Sequence, residues 1–401
     1  MLFASYTTFV YIALFVFIYN LAGVITRKLF LRNLILAGGN LVLLLTLVKE
    51  HTIIVIAIVC LVVFIAGKLL QKKSIKSLLA FMLTLIITLF SIRNYPFIQE
   101  AVSQTFLSII NEPILSVQKL GLSYILFRFV HWLVESYHKK IYKADLLSFL
   151  NYIFFFPTIL AGPIDTYNNF RYWIANHRPA YKRTIFFAGI SRIAMGAFKT
   201  LGIVPLVHLW AVDYNTLTPH FPLVIAILLS LVAYSAYIYF DFSGYSDIAI
   251  GTAYLIGIRT PENFNNPYLS TSLSEFWKRW HITFSNFLML YVFKPFVNLF
   301  NKLINPKHRL LVTALCYLLT FFICGLWHGS HLNFVYWGLW HGAGLTINKI
   351  WTVKVKPLVH FHTSTFYTTF STLLTFSFVT IGWVFFCYSP NQLHTLFNLL
   401  K

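Results

Sequence analysis

Acidic side chains are the scarcest chemistry in this chain. It carries 11 Asp and Glu against 31 Lys and Arg in 401 residues, and no acidic residue follows Glu275. Charged residues make up 10% of the sequence, against about a quarter in ordinary globular chains. With 58% hydrophobic residues and a mean hydropathy of +0.72, too little polar side chain remains to cover a water-soluble domain. Cysteine is also sparse. Cys60, Cys316, Cys324 and Cys387 lie in or beside apolar runs without metal-ligand spacing and read as buried single thiols. There is no serine elbow, Walker loop, dinucleotide fingerprint or zinc signature, so neither a covalent serine enzyme nor a metal site is expected. The Lys and Arg residues are dispersed between apolar runs, which excludes a compact nucleic-acid-binding domain.

What the chain has in quantity is long apolar sequence. Stretches able to span a bilayer lie near 6–24, 33–48, 52–70, 78–92, 115–137, 146–162, 184–211, 221–242, 309–327, 330–348 and 367–387, about eleven in all. The expectation is an all-α polytopic membrane protein forming one domain over 1–401. Its parts are N-terminal helices over 1–92, a core over 115–350, and a C-terminal helix and tail over 367–401. The first run is too long for a signal-peptide core, lacks an A-x-A cleavage site, and is expected to be retained. Basic clusters follow the first span (Arg27, Lys28, Arg32), the third (Lys68, Lys72, Lys73, Lys76) and the fifth (YHKKIYK, 137–143). The positive-inside rule then puts the N-terminus outside the cell. The segment 93–114 has helical periodicity and reads as a short helix on the outer membrane surface. The segment 241–300 mixes aromatics, turn residues and charges without a clean span, and is expected to pack as short or re-entrant helices.

Polar residues inside such a chain are costly and mark function. In FFFPTILAGPID, Pro157, Gly162 and Pro163 predict a helix break. Asp165 just beyond is either a turn aspartate or a carboxylate that orders a polar pocket. In YFDFSGYSDIAIG, Asp241 and Asp247 are candidates for pairing with an arginine such as Arg279 or with a histidine, and Asp247 for capping a following helix. In STSLSEFWKRWHITFS, Ser272 or Ser274 is placed to cap a helix carrying Glu275, Lys278, Arg279 and His281. On that helix Trp277 and His281 would share a face. In CGLWHGSHLNFVYWGLWHG, Trp327, His328, His331, Asn333 and His341 are set among glycines that permit close backbone approach. His328, with glycine after it and another three residues before, is placed at a helix end where substrate reaches the ring. A neutral imidazole there can take a proton from a hydroxyl. His331 and His341 read more simply as histidines that bond neighbouring helices.

The order of these motifs resembles the membrane-bound O-acyltransferase family. The resemblance runs from GLSYILFRFVHWLVE (121–135) through FPTILAGPID, YFDFSGYSDIAIG, PENFNNPYLS (261–270) and EFWKRWH to GLWHG…WGLWHG and GWVFF (382–386). It implies a ring of membrane helices around a thin centre, in which an intracellular acyl donor meets an extracytoplasmic acceptor. It also implies that His328 is the essential histidine and His281 the second one. Asp165, Asp241, Asp247, Glu275, Trp277, Lys278, Arg279, Trp327, Asn333 and His341 are then substrate or network residues. The expected location is the bacterial cytoplasmic membrane. No tightly bound cofactor is implied. The donor would be a phosphopantetheine-linked thioester on an acidic acyl carrier protein, and the acceptor an anionic cell-envelope polymer. An accessory membrane or extracytoplasmic transfer protein is a further expected partner.

Two branches of the family compete. GPID, SYILFR and GLWHGAGLTIN are similar to the branch that moves D-alanine onto teichoic acid. DFSGYSD, PENFNNPY and CGLWHGS look more like the branch that O-acetylates exopolysaccharides such as alginate. The chain departs from both: Met289 and Leu290 stand where an Arg-Asp pair is usual, and Thr166 where arginine is common. Outside the family reading, buried charges and broken helices would also suit a lipid or polymer transporter, although no inverted repeat is visible.

Overall fold

A computed structural model describes residues 6–25, 28–47, 50–95, 98, 122–176, 183–211, 215, 217–358, 363–388 and 390–399. Every regular element among them is helical, and the protein is an all-α, multi-pass membrane protein. Seven described helical stretches are long and apolar enough to cross a bilayer: Leu29–Leu47, Ile53–Lys73, Arg183–Ala211, Leu223–Leu255, Ile282–Leu303, Pro306–His328 and Thr365–Cys387. Three shorter apolar helices, Phe9–Gly23, Lys76–Ile92 and Leu146–Thr158, accompany them. The described residues thus supply seven spanning stretches where the sequence suggested about eleven. One was not anticipated. Ile282–Leu303 becomes a spanning stretch because a π-helical turn at Met289–Phe293 joins the two helices around it. The surface helix expected over 93–114 lies almost wholly outside the described residues.

The chain divides into two compact units, Met1–Phe198 with Gly244–Pro261 and Lys199–Ser243 with Glu262–Lys401. In chain order the first contains α1 (Tyr6–Ile25), α2 (Leu29–Leu47), α3 (Glu50–Lys73), α4 (Lys76–Asn94), α5 (Leu122–Tyr137), α6 (Leu146–Ile153), α7 (Tyr167–Asn176) and α8 (Arg183–Ala197). Then come α9 (Val204–Ala211) and α10 (Leu223–Leu255), whose last third returns to the first unit. The second unit continues with α11 (Leu273–Arg279), α12 (Ile282–Leu288), α13 (Lys294–Leu303), α14 (Arg309–His328), α15 (Leu332–Ile350), α16 (Thr365–Gly382), α17 (Val384–Cys387) and α18 (Pro390–Leu399).

Apolar residues on these helices face both ways, as a lipid solvent allows. On α3, Cys60, Val63, Ala66 and Leu70 form a buried stripe at three- and four-residue spacing, while Ile54, Ile58, Leu61 and Ile65 are exposed. Lipid offers helices no hydrophobic reason to associate, so close packing and hydrogen bonds must hold them. Asn40 Nδ2 donates to Asn151 Oδ1 at 3.1 Å, and Asn151 Nδ2 donates to the Asn33 carbonyl at 2.8 Å, tying α2 to α6.

The helix break predicted at Pro157 is present: α6 stops at Ile153 and a short 3-10 turn covers Phe156–Thr158. Backbone groups released inside a membrane must find partners. Arg128 on α5 supplies them. Its guanidinium donates to the carbonyls of Tyr152 at 2.8 Å and Ile153 at 2.6 Å, and to Thr158 Oγ1 at 2.6 Å. Asn40 Oδ1 accepts from the Phe156 amide at 3.0 Å. The charge of Arg128 is therefore employed as backbone glue.

In the second unit α14 and α15 form an antiparallel hairpin in which the backbones touch. A Cβ added at Gly338 would fall 2.1 Å from the Phe321 carbonyl oxygen, and one at Gly325 would fall 2.3 Å from that of Phe334. Because each obstacle is backbone, no rotamer relieves it. Gly338→Ala should therefore lower the melting temperature and the monodisperse yield in detergent, by at least the roughly 1–3 kcal/mol of an overpacked core. Wild-type melting of this variant would show that the hairpin is looser than described.

Candidate active site

In the second unit the turn between α11 and α12 is pinned to residues 263–265. The Asn265 amide donates to the Arg279 carbonyl and the Ile282 amide to the Asn263 carbonyl, each at 2.9 Å. α11 starts where the sequence suggested, with Ser272 Oγ accepting from the Glu275 amide at 3.2 Å. Glu275 reciprocates from the first turn: Oε2 accepts from the amide and hydroxyl of Thr271, both at 2.8 Å. Its Oε1 meets Arg279 at 2.6 Å. Burial raises the Glu275 carboxyl, but these hydrogen bonds and the charges of Arg279 and Lys278 outweigh it and hold the pKa below its ordinary value. Arg279 is thus the partner of Glu275, not of Asp241 or Asp247.

The helix expected to carry His281 ends at Arg279. His281 follows in the left-handed region, with φ 42° and ψ 54°, so Trp277 and His281 do not share a helical face. For a residue with a Cβ this conformation costs about 1–2 kcal/mol. Such strain clusters at functional sites when the surroundings enforce it. Asn263 does the enforcing. It is fully buried, and its Oδ1 lies 3.0 Å from His281 Nδ1 and 2.9 Å from Thr283 Oγ1, with the Thr283 amide at 3.4 Å. A backbone amide can only donate, so the shared atom is the oxygen. His281 Nδ1 therefore carries a proton, and in the neutral ring Nε2 is the acceptor.

An aromatic wall links this ring to His328. Ring centroids step from His281 to Phe284 at 5.0 Å, from Phe284 to Trp327 at 4.6 Å, and from Trp327 to His328 at 4.5 Å. Phe242 packs edge-on against His281 at 4.7 Å. The two imidazoles are within electrostatic reach of each other. His328 is the last residue of α14, half-buried, as its glycine context suggested, with Trp337 at 4.9 Å and Phe386 at 5.0 Å. Asn333, buried on α15, donates from Nδ2 to the Tyr388 carbonyl at 2.9 Å.

The remaining candidates separate. His331 occupies the N-cap position of α15 without a side-chain capping bond and is exposed, not buried against a neighbouring helix. His341 is fully buried among Trp277 at 5.2 Å, Trp337 at 4.9 Å and Phe378 at 5.9 Å, and neither ring nitrogen has a hydrogen-bond partner. The expected bond to a neighbouring helix is absent, and the indole nitrogens of Trp277 and Trp337 are unpartnered as well. Lys278 is exposed. Asp241 is half-buried in α10, within electrostatic reach of Tyr234 and Tyr237.

Asp165 and Asp247 belong to the first unit. Asp165 is buried rather than a solvent-facing turn residue. It accepts from Asn169 Nδ2 at 2.9 Å and from the Thr166 amide at 2.7 Å. Burial pushes its carboxyl up to about 7, against the lowering effect of Asn169, Thr166 and Arg128. Asp247 caps nothing: it lies inside α10 and meets Arg192 at 2.6 Å. Arg192, Asn263 and Thr283 were not singled out from sequence. Asn263 stands in PENFNNPY, but its partner is 18 residues away, so no local periodicity reveals the pair. Among the described residues no group of His, Cys, Asp and Glu could hold a metal.

The site thus sets a strained histidine and a half-buried one on one aromatic wall in a multi-pass helical protein. The chain belongs to the membrane-bound O-acyltransferase family, whose model matches residues 34–390. It is 28% identical to a teichoic acid D-alanyltransferase of Bacillus subtilis over 88% of this chain and 90% of that protein. It is 31% identical to a probable alginate O-acetylase of Azotobacter vinelandii over 67% of this chain and 50% of that protein. With a peptidoglycan O-acetyltransferase of Helicobacter pylori the identity is 34% over 64% of this chain and 46% of that protein. The chain thus spans about half the length of the two acetyl-transferring relatives.

If Asn263 sets the tautomer of His281, replacements should separate by their acceptor. Asn263→Leu should lower acyl transfer by about 10-fold or more, as loss of an orienting partner does elsewhere. Asn263→Asp should retain more activity and move the acidic limb of the pH–rate profile upward, because a carboxylate favours the protonated ring. Equal losses with an unmoved profile would reduce Asn263 to a packing residue.

Proposed function

We propose that the protein transfers an acyl group, D-alanyl in the first instance, from a carrier-protein thioester directly to a hydroxyl of an extracytoplasmic cell-envelope polymer such as teichoic acid. The observation that carries this reading is the pairing of His328 and His281 across one aromatic wall, at a helix end and a strained turn. His328 takes the proton of the acceptor hydroxyl as its oxygen attacks the thioester carbonyl. The C–S bond then breaks, and the proton passes to the departing thiolate. At the C-terminus of α14 the partial negative charge of the helix end favours the ring's transient positive charge.

His281 acts differently. With Nδ1–H held by Asn263, the neutral ring presents a lone pair at Nε2, which suits accepting a hydrogen bond from the donor, such as an amide N–H of a pantetheine arm. An oxyanion would need a proton there. The tautomer therefore favours the donor-orienting role over the oxyanion-stabilising one. Lys278, exposed while Arg279 is tied to Glu275, is the cation placed to meet the phosphate of that arm or an acidic carrier surface.

Alignment with the Bacillus D-alanyltransferase along nearly the whole of both chains supports D-alanyl as the group transferred. The higher identity to the Helicobacter acetyltransferase favours acetyl as the second reading. Reconstituted protein offered D-alanyl- and acetyl-labelled thioesters with teichoic acid should label the polymer with D-alanine. Acetyl-only labelling would reverse the choice, and movement of polymer without labelling would contradict both. His328→Ala should lower transfer by about a hundred- to ten-thousand-fold with melting unchanged. Full turnover by that variant would remove His328 from the chemistry.

A further inference from the structure

An opening in this unit is lined by neither His281 nor His328, the two histidines proposed for the chemistry. It is a cavity of about 610 Å³ between the start of α11, the end of α15 and the first turns of α16. Three features converge on it. The first is charge. Lys349 and Lys356 line it, and no acidic residue follows Glu275 in the sequence. Glu275 itself, one residue beyond the lining Ser274, is already engaged by Arg279 at 2.6 Å and by Thr271. Both cations line the cavity, and among the described residues neither is held in an ion pair.

The second feature is depth. α15 ends at Ile350, the spanning stretch of α16 begins at Thr365, and Trp351 Nε1 donates to Tyr367 Oη at 3.2 Å at the cavity's edge. Tryptophan and tyrosine at the ends of spans mark the headgroup level of a bilayer. The third is the wall. Phe370 and Leu374 line the cavity and are themselves exposed, so its apolar side continues outward along α16 where hydrocarbon lies. A cavity of this volume takes a ligand of drug size, which is room for a headgroup and glycerol but not for acyl chains. A soluble anion would use the lysines and waste the wall. A molecule with a phosphate at one end and hydrocarbon at the other uses both.

We propose that this cavity binds an anionic phospholipid, with its phosphate between Lys349 and Lys356 and its chains laid on Phe370 and Leu374. The proposal does not depend on which acyl group is transferred or on the roles of His281 and His328. Basic pockets between membrane helices hold anionic headgroups.

Native mass spectrometry of the full chain in detergent tests this without an activity assay. Given phosphatidylglycerol or phosphatidylcholine, the wild type should retain the first in preference. Lys349→Gln with Lys356→Gln should reduce that retention by about tenfold or more. Ser371→Trp, which fills the cavity and leaves both charges, should reduce it as well, and covers the case in which the double variant melts early. Equal retention of the two lipids by the wild type would overturn the proposal. So would wild-type retention by a folded Ser371→Trp protein. Displacement of the lipid by free phosphopantetheine, but not by inorganic phosphate, would overturn it in favour of a soluble donor.

Discussion

The site depends on one side-chain oxygen. Asn263 Oδ1 gathers the His281 ring, the Thr283 hydroxyl and the Thr283 amide, while the Asn263 carbonyl takes the Ile282 amide. Each such bond adds only about 1 kcal/mol net. Together they hold a histidine in a backbone conformation that costs about 1–2 kcal/mol, and they fix which ring nitrogen carries the proton. Without them the chain would be free to run α11 into α12 as one helix. His281 would then point from a helical face, away from the wall that leads to His328. Backbone strain and ring orientation share one cause here.

The membrane explains why polar groups are used so sparingly and in such specific ways. Several charged and amide side chains in this chain serve the backbone or one another. Arg128 caps the carbonyls released by the break before Pro157, and Asn40, Asn151 and Asn33 bridge α2 and α6. Asp247 is matched by Arg192, and Glu275 by Arg279 and Thr271. Once these are assigned, the polar groups left for chemistry are few. Within the apolar core both nitrogens of His341 are unpartnered, as are the indole nitrogens of Trp277 and Trp337 that pack on it, and Trp337 also touches His328.

What the sequence made legible was whatever depends on local composition. Apolar runs foretold a multi-pass helical protein, Pro157 foretold the break, Ser272 the cap of α11, and the glycines around His328 its place at a helix end. What it concealed depends on contacts distant in the chain. The end of α11 before His281 has no proline or glycine to announce it, because the break is imposed by pairing with 263–265. The 282–303 stretch looked too mixed for a span, yet a π-turn lets it continue. Asp165 and Asp247 looked equivalent to the other acidic candidates. One is buried against Asn169 and the other is locked to an arginine 55 residues away.

In the reaction proposed, the acyl group passes directly from donor to hydroxyl, histidines move a proton and hold the donor, and no acyl group rests on the protein. Incubating purified protein with a radiolabelled acyl-carrier thioester and no acceptor measures this. No stable label should remain on the protein after the thioester is removed, and polymer should be labelled only when a hydroxyl acceptor is present during the incubation. A stoichiometric acyl-protein adduct that later chases onto added polymer would contradict direct transfer.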